Sequence, residues 1–175
     1  MVYLNVIILI MLQSSNLIFD FHKEMKFDQW QVVDDVVMGG KSSGNFELDA
    51  KGNAVFSGTV STENNGGFSS VRGELGKIRV KKDQKIILFL KGDGKKYQFR
   101  IKERRGDYYS YVCYFQTSGH WEQIEIPLSQ MYPAFRGRQL DMPNFEGSQI
   151  EEIAFLIGNK VGEEFSLTLD KIILQ

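Results

Sequence analysis

The chain has 175 residues, enough for one domain whose single core buries roughly two-thirds of the unfolded surface. Lys and Arg number 21 against 22 Asp and Glu, a formal net charge of −1 with the two signs interspersed. No basic stripe is present to neutralise a phosphate backbone, which argues against nucleic acid as a partner, and a lone cysteine, Cys113, excludes an intrachain disulfide and a thiolate metal cluster.

Val2 to Leu12 is apolar except for Asn5 and carries no charge, about half the length needed to cross a bilayer. With Ser14 and Ser15 after it, it resembles an export signal that lacks the usual Lys or Arg near its start, and it also fits an extra apolar strand. It is neither amphipathic nor Arg-rich, as a mitochondrial transit segment would be. Residues 1–15 are therefore set apart as a signal or apolar terminal segment, and 16–175 form one domain without a transmembrane span. A working signal would place the protein outside the cytoplasm, in the periplasm of a bacterium.

From there the chain alternates apolar and polar residues in short runs broken by turn residues, with 13% aromatics, 17 glycines and only 3 prolines. That pattern predicts an all-β antiparallel sandwich. Leu17 to Phe21 is the first expected strand, with Leu17, Phe19 and Phe21 on one face. Phe27, Trp30 and Val33 have the spacing of a short helical turn. Phe46 to Leu48 and Ala54 to Ser61 flank a turn at Asp49 to Asn53, a hairpin signature. Phe68 to Arg72 is a further strand. Lys85 to Leu90 and Tyr97 to Lys102 read as a hairpin closed by Gly92-Asp93-Gly94, where Asp-Gly suits a turn needing positive φ. Both faces of the first of these runs are apolar, so it should be central. Tyr108 to Phe115 should lie beside it, Trp121 to Ile126 ends at Pro127, and Ile150 to Ile157 and Glu164 to Leu174 complete the set. Between them Pro127 to Ser148 is a long connection without strand pattern, and long connections tend to face partners.

The chemistry-bearing residues argue against catalysis. His22 and His120 lack neighbours at metal-ligand spacing, and Cys113 sits in an apolar strand where a thiol stays protonated. No nucleophile elbow, phosphate loop or dinucleotide fingerprint occurs. Asp34 and Asp35 are adjacent, so on a strand they point to opposite faces; one can brace the Met38-Gly39-Gly40 turn, or a loop calcium can use them. Trp30 and Trp121 fit either core packing or stacking on a sugar ring. Arg72 and Arg100 interrupt apolar strands and need acceptors, for which Glu63, Glu74, Asp35 and Asp93 are the candidates.

The most informative segment is Glu63-Asn64-Asn65-Gly66-Gly67-Phe68-Ser69-Ser70-Val71-Arg72. Acid, paired amides and paired glycines favour turn and left-handed backbone, which marks either a tight corner or a place where something approaches the chain. Together with Trp30, Asp35, Val37-Met38-Gly39-Gly40, Lys91-Gly92-Asp93-Gly94, Trp121 and Phe135-Arg136-Gly137, taken in this order, the segment resembles the complex I intermediate-associated protein 30 family from about Phe19 to Leu174. The resemblance implies a jelly-roll of the galactose-binding-domain-like type. It also implies a non-catalytic assembly-chaperone role without cofactor or metal, exercised on protein clients such as respiratory-complex subunits, and a mitochondrial location if the source is eukaryotic. Residues matching by type are Trp30, Asp35, Met38, Gly39, Gly40, Glu63, Asn64, Asn65, Gly66, Gly67, Phe68, Arg72, Gly92, Asp93, Gly94, Trp121, Arg136 and Gly137. A carbohydrate-binding module is the alternative that the same sandwich architecture suggests.

Overall fold

Alternating β-branched and aromatic residues, bounded by Gly, Asp and Asn, build thirteen strands among the described residues of the computed structural model, which are 16–175 apart from Met25. The apolar run from Val2 to Leu12 lies outside them. In chain order they are β1 (Asn16–Asp20), β2 (Trp30–Asp34), β3 (Ser43–Leu48), β4 (Ala54–Val60), β5 (Ser69–Arg79), β6 (Lys85–Lys91), β7 (Lys96–Lys102), β8 (Ser110–Gln116), β9 (Trp121–Pro127), β10 (Tyr132–Phe135), β11 (Arg138–Gln139), β12 (Gln149–Ile157) and β13 (Glu163–Leu174). One helical turn, α1 (Phe21–Glu24), follows β1, and short 3-10 turns occupy Phe27–Gln29, Asp35–Met38, Glu63–Asn65 and Leu128–Gln130.

All pairings are antiparallel. Sheet A runs β3-β4-β13-β6-β9, with β1 also on β13, and sheet B runs β11-β10-β8-β7-β12-β5-β2. Period-two alternation sends Phe56, Ile86, Leu88, Leu90, Leu167 and Leu169 of sheet A against Val71, Phe99, Ile101, Ile153 and Phe155 of sheet B, all at most 1% exposed. Each such side chain contributes about 1.5–3 kcal/mol on burial, so this two-layer contact dominates the fold.

Several sequence expectations are corrected. β6 and β7 do not pair as a hairpin: β6 lies between β13 and β9 in sheet A, and β7 between β8 and β12 in sheet B. The Gly92-Asp93-Gly94 turn instead carries the chain across the sandwich, with Gly94 at φ 82. Asp93 anchors that crossing by accepting the Ser166 N–H of β13 (3.0 Å) and the Tyr97 hydroxyl of β7 (3.0 Å). Leu17 is 50% exposed, because a bulge shifts register between Leu17 and Phe19. Phe21 is buried from a helical turn, not from the strand. Trp30 opens β2, and the 3-10 turn ends before it. The connection from Pro127 to Ser148 is not patternless, since β10 and β11 form a small hairpin on the edge of sheet B.

Register also fixes an outward row across sheet B. Gln31 faces Arg72, Arg72 faces Ala154, Ala154 faces Arg100, Arg100 faces Val112 and Val112 faces Tyr132.

Close approach of β3 and β4 depends on Gly58. A Cβ there would lie 2.1 Å from the Ser43 carbonyl oxygen, which is backbone and cannot swing aside. Gly58→Ala should therefore lower stability by about 2 kcal/mol or more, within the range for overpacking. Urea unfolding of the two proteins measures it, and an unchanged midpoint would show that the β3–β4 edge yields freely.

Candidate functional site

The site is built around one carboxylate. Asp35 opens the 3-10 turn that follows β2, at the corner where the chain leaves the edge of sheet B for the edge of sheet A, and it is 0% exposed. A buried carboxylate is tolerated only with its lone pairs filled, and here four donors fill them. Oδ1 accepts the Ser42 N–H (2.9 Å); Oδ2 accepts the Ser42 hydroxyl (2.5 Å), the Gly67 N–H (2.6 Å) and the Phe68 N–H (3.2 Å). The Asp35 carbonyl also receives the Gly40 N–H (3.1 Å).

The glycines are explained by this carboxylate. A Cβ on Gly40 would come 2.2 Å from Asp35 Oδ1, and one on Gly66 would come 2.6 Å from Oδ2. Met38-Gly39-Gly40 and Asn65-Gly66-Gly67 are two halves of a single cradle. Ser42 extends it by accepting the Ser61 N–H on its hydroxyl oxygen (3.0 Å). Asp34, on the opposite side of the strand, accepts the Gly44 N–H (2.9 Å) and the Ser69 hydroxyl (2.5 Å), tying β3 and β5 to β2.

Burial alone would raise the Asp35 carboxyl, but the Ser42 hydroxyl and the N–H groups of Gly67, Ser42 and Phe68 outweigh it, leaving the group below its ordinary value of 3.8. The cradle holds an anion, and both of its oxygens are occupied.

Outside the cradle the same two turns face solvent. Val36 is 59% and Met38 58% exposed, an apolar pair that folding leaves in water. Asn64 (φ 53) and Asn65 (φ 59) both take left-handed backbone, which Asn tolerates better than other non-glycine residues. Both are exposed, and among the described residues neither side-chain amide has a hydrogen-bond partner. Glu63 pairs with Lys41 across the two turns.

The corner thus gathers Asp35, Met38, Gly39, Gly40, Glu63, Asn64, Asn65, Gly66, Gly67 and Phe68. The other expected site residues lie elsewhere. Trp30 is 7% exposed, packed among Phe19, Phe21 and Phe46 with its ring over Gly73, so it belongs to the core. Arg72 points outward from sheet B and pairs with neither Glu63 nor Glu74, whose partners are Lys41 and Arg105. Arg100 finds no carboxylate from Asp35 or Asp93 and donates to Gln98 instead. Asp93 braces the crossing between sheets. Trp121 is 53% exposed at the start of edge strand β9, opposite Lys91, so it is the tryptophan outside the core. Arg136, at φ 48, tips the β10–β11 hairpin with its guanidinium 5.2 Å from the Phe135 ring. Sequence reasoning missed Val36 and Ser42; a hydroxyl two residues beyond a Gly-Gly turn that follows an acid was the available signal.

The arrangement ties two loops to one carboxylate, and the oxygens of both Asp34 and Asp35 are engaged. Burial pushes the Cys113 thiol up, away from thiolate character. Among the described residues no three His, Cys, Asp or Glu side chains converge as metal ligands, and no helix is long and apolar enough to cross a membrane.

Comparison with known proteins agrees with the fold. The family described as Complex I intermediate-associated protein 30 (CIA30) matches residues 19–169. A Drosophila melanogaster protein named "Complex I intermediate-associated protein 30, mitochondrial" is 25% identical over 93% of this chain, which spans 63% of its length. Among solved structures, the family 11 carbohydrate-binding module of a cellulosomal cellulase of Clostridium thermocellum superposes with a TM-score of 0.66 at 22% identity, covering 92% of this chain and 94% of the module. The same type of module from that organism, in complex with a β-1,3-1,4-mixed-linked tetrasaccharide, gives 0.64 at 22% identity over 91% and 94%. At that identity the likeness establishes a shared jelly-roll, galactose-binding-like fold.

Asp35→Asn should cost about 2–4 kcal/mol near neutral pH, because an amide nitrogen would meet donors and the charge-assisted bonds are lost. Since the folded carboxyl titrates below 3.8, its contribution is fully present above that value and is lost as pH falls through the lower folded pKa. Denaturant midpoints of both proteins should therefore differ most above about pH 5 and draw together as pH falls below 3.8. A constant difference over that range would contradict the assignment.

Proposed function

Because the chain belongs to the complex I intermediate-associated protein 30 family, we propose that it is a non-catalytic recognition domain that holds protein clients through the loop pair fixed by Asp35. The observation that carries this reading is the pairing of a buried, saturated carboxylate with an exposed surface made from the same two turns. Val36 and Met38 offer apolar contact, and Asn64 and Asn65 offer unpaired amides beside them. Surface held in place before binding loses little entropy on association, and apolar anchors beside polar groups are the usual composition of a binding hot spot.

The fly relative's name connects the reading to complex I, so subunits or intermediates of that complex are the proposed clients, in mitochondria where the source is eukaryotic. The absence of catalysis is part of the proposal and rests on the filled valences of Asp34 and Asp35.

Two double variants test it, Val36→Asp with Met38→Asp and Asn64→Gly with Asn65→Gly, glycine keeping the positive φ of both positions without strain. All four residues are exposed, so each pair should leave the unfolding midpoint within about 1 kcal/mol of the parent. Capture of complex I subunits from the native source should fall at least about tenfold, the effect of losing a hot-spot contact. Undiminished capture by folded variants would remove the corner from the client-binding surface.

A further inference from the structure

The outer face of sheet B carries a second set of functional groups, unrelated to the corner. Its centre is unexpectedly dry for an outward surface. Ser70, Gln98, Val112, Ala154 and Leu156 are all between 1% and 7% exposed, although alternation turns them away from the core. Longer side chains rise around them. Arg72 and Arg100 flank Ala154 on either side, their Cα atoms about 10 Å apart across two strand spacings. Tyr114 pairs with Gln98 in the next row, and Tyr132 ends the arginine row.

The polar groups on this floor form a one-directional network. Arg100 donates through Nε (2.9 Å) and Nη2 (2.7 Å) to Gln98 Oε1, which fixes the amide orientation; Gln98 Nε2 then donates to the Tyr114 hydroxyl oxygen (3.1 Å). The remaining N–H groups of Arg100 are left over, and the Tyr114 and Tyr132 hydroxyls lie side by side above them. Arg72 makes no ion pair or hydrogen bond with a described residue. The Lys96 ammonium lies 4.5 Å from the centre of the Tyr114 ring and adds a third cation. Nearby acids are already engaged, Glu152 with Lys102 (3.7 Å) and Glu74 with Arg105 (2.9 Å). Burial, and the neighbouring charge of Arg72, lower the Arg100 pKa, as expected where two cations lack a counter-ion.

A half-buried surface whose unpaired charges are the Arg72 and Arg100 guanidiniums is complementary to an anion. Guanidiniums suit a planar carboxylate taken two bonds at a time, and the hydroxyls of Tyr114 and Tyr132 suit neutral oxygens beside it. A sugar ring bearing one carboxylate and several hydroxyls presents both within one strand spacing. An extended peptide would seek main-chain partners at a sheet edge, whereas this face offers side chains only.

We infer that the outer face of sheet B is a binding site for an acidic oligosaccharide, with Arg72 and Arg100 taking a uronate carboxylate and Tyr114 and Tyr132 its neighbouring hydroxyls. The site is separate from the Asp35 corner and does not depend on the client reading.

Calorimetric titration of the full chain with a galacturonate tetramer, a neutral galactose tetramer and an oligoglutamate tests it. Saturable binding of the galacturonate is expected, at least about tenfold tighter than either other probe, and weakened about tenfold by Arg72→Gln, the scale of one charge-assisted contact. Tyr114→Phe should weaken it a few-fold and also lower the unfolding midpoint, because Gln98 Nε2 loses its acceptor. Absence of saturable galacturonate binding, or equal affinity of the parent and Arg72→Gln, would overturn the site. Equal affinity for oligoglutamate would overturn the saccharide and assign the face to acidic peptide.

Discussion

A carboxylate with no access to water holds this corner of the sandwich together. Asp35 can stay ionised there only because Ser42 donates twice and the Gly67 and Phe68 amides donate once each. The Gly67 and Phe68 donors lie more than thirty residues along the chain from the carboxylate, and glycine is required at positions 40 and 66 simply to let the carboxylate fit. Sheet A begins and sheet B ends within this network. The positions of Val36, Met38, Asn64 and Asn65 are consequences of it.

The same logic explains how polar groups are distributed over the rest of the molecule. Asp34 fastens three strands, Asp93 fastens the crossing between sheets, and each accepts N–H or O–H donors on both of its oxygens. Acids in this chain are spent on architecture. The cations of the outer sheet B face are in the opposite condition, with two arginines and Lys96 clustered and neither Arg72 nor Arg100 in an ion pair among the described residues, the nearby Glu74 and Glu152 being paired with Arg105 and Lys102. An overall charge of −1 conceals this asymmetry.

Much of the architecture was legible from the chain. Period-two alternation located most strands, and aromatics on both faces of Tyr108 to Phe115 marked an interior strand, but its neighbours are β7 and β10 of sheet B and not the Lys85 to Leu90 strand of sheet A beside which it was expected. Pairing was less legible. Gly-Asp-Gly closes a hairpin and arches between two sheets with the same backbone chemistry, and what separates the outcomes is the distant Ser166 N–H that Asp93 accepts. β10 escaped notice because it has four residues, one of them Pro133. Composition also could not distinguish Trp30, enclosed over Gly73, from Trp121, exposed on an edge strand. Asp35 was readable as a brace of its own turn, a local relation; its hold on Gly67 and Phe68 was not, since nothing in either segment names the other.

The central claim is that one carboxylate makes two loops a single body, and amide hydrogen exchange reads that directly. If it is right, the Ser42, Gly67 and Phe68 amides of the parent protein are protected to the same opening free energy, because they share one acceptor group. In Asp35→Ala all three should lose protection together, while core amides of β12 keep theirs. Fast exchange of Gly67 and Phe68 beside a protected Ser42 in the parent protein would show that the loops move independently, and would contradict the account.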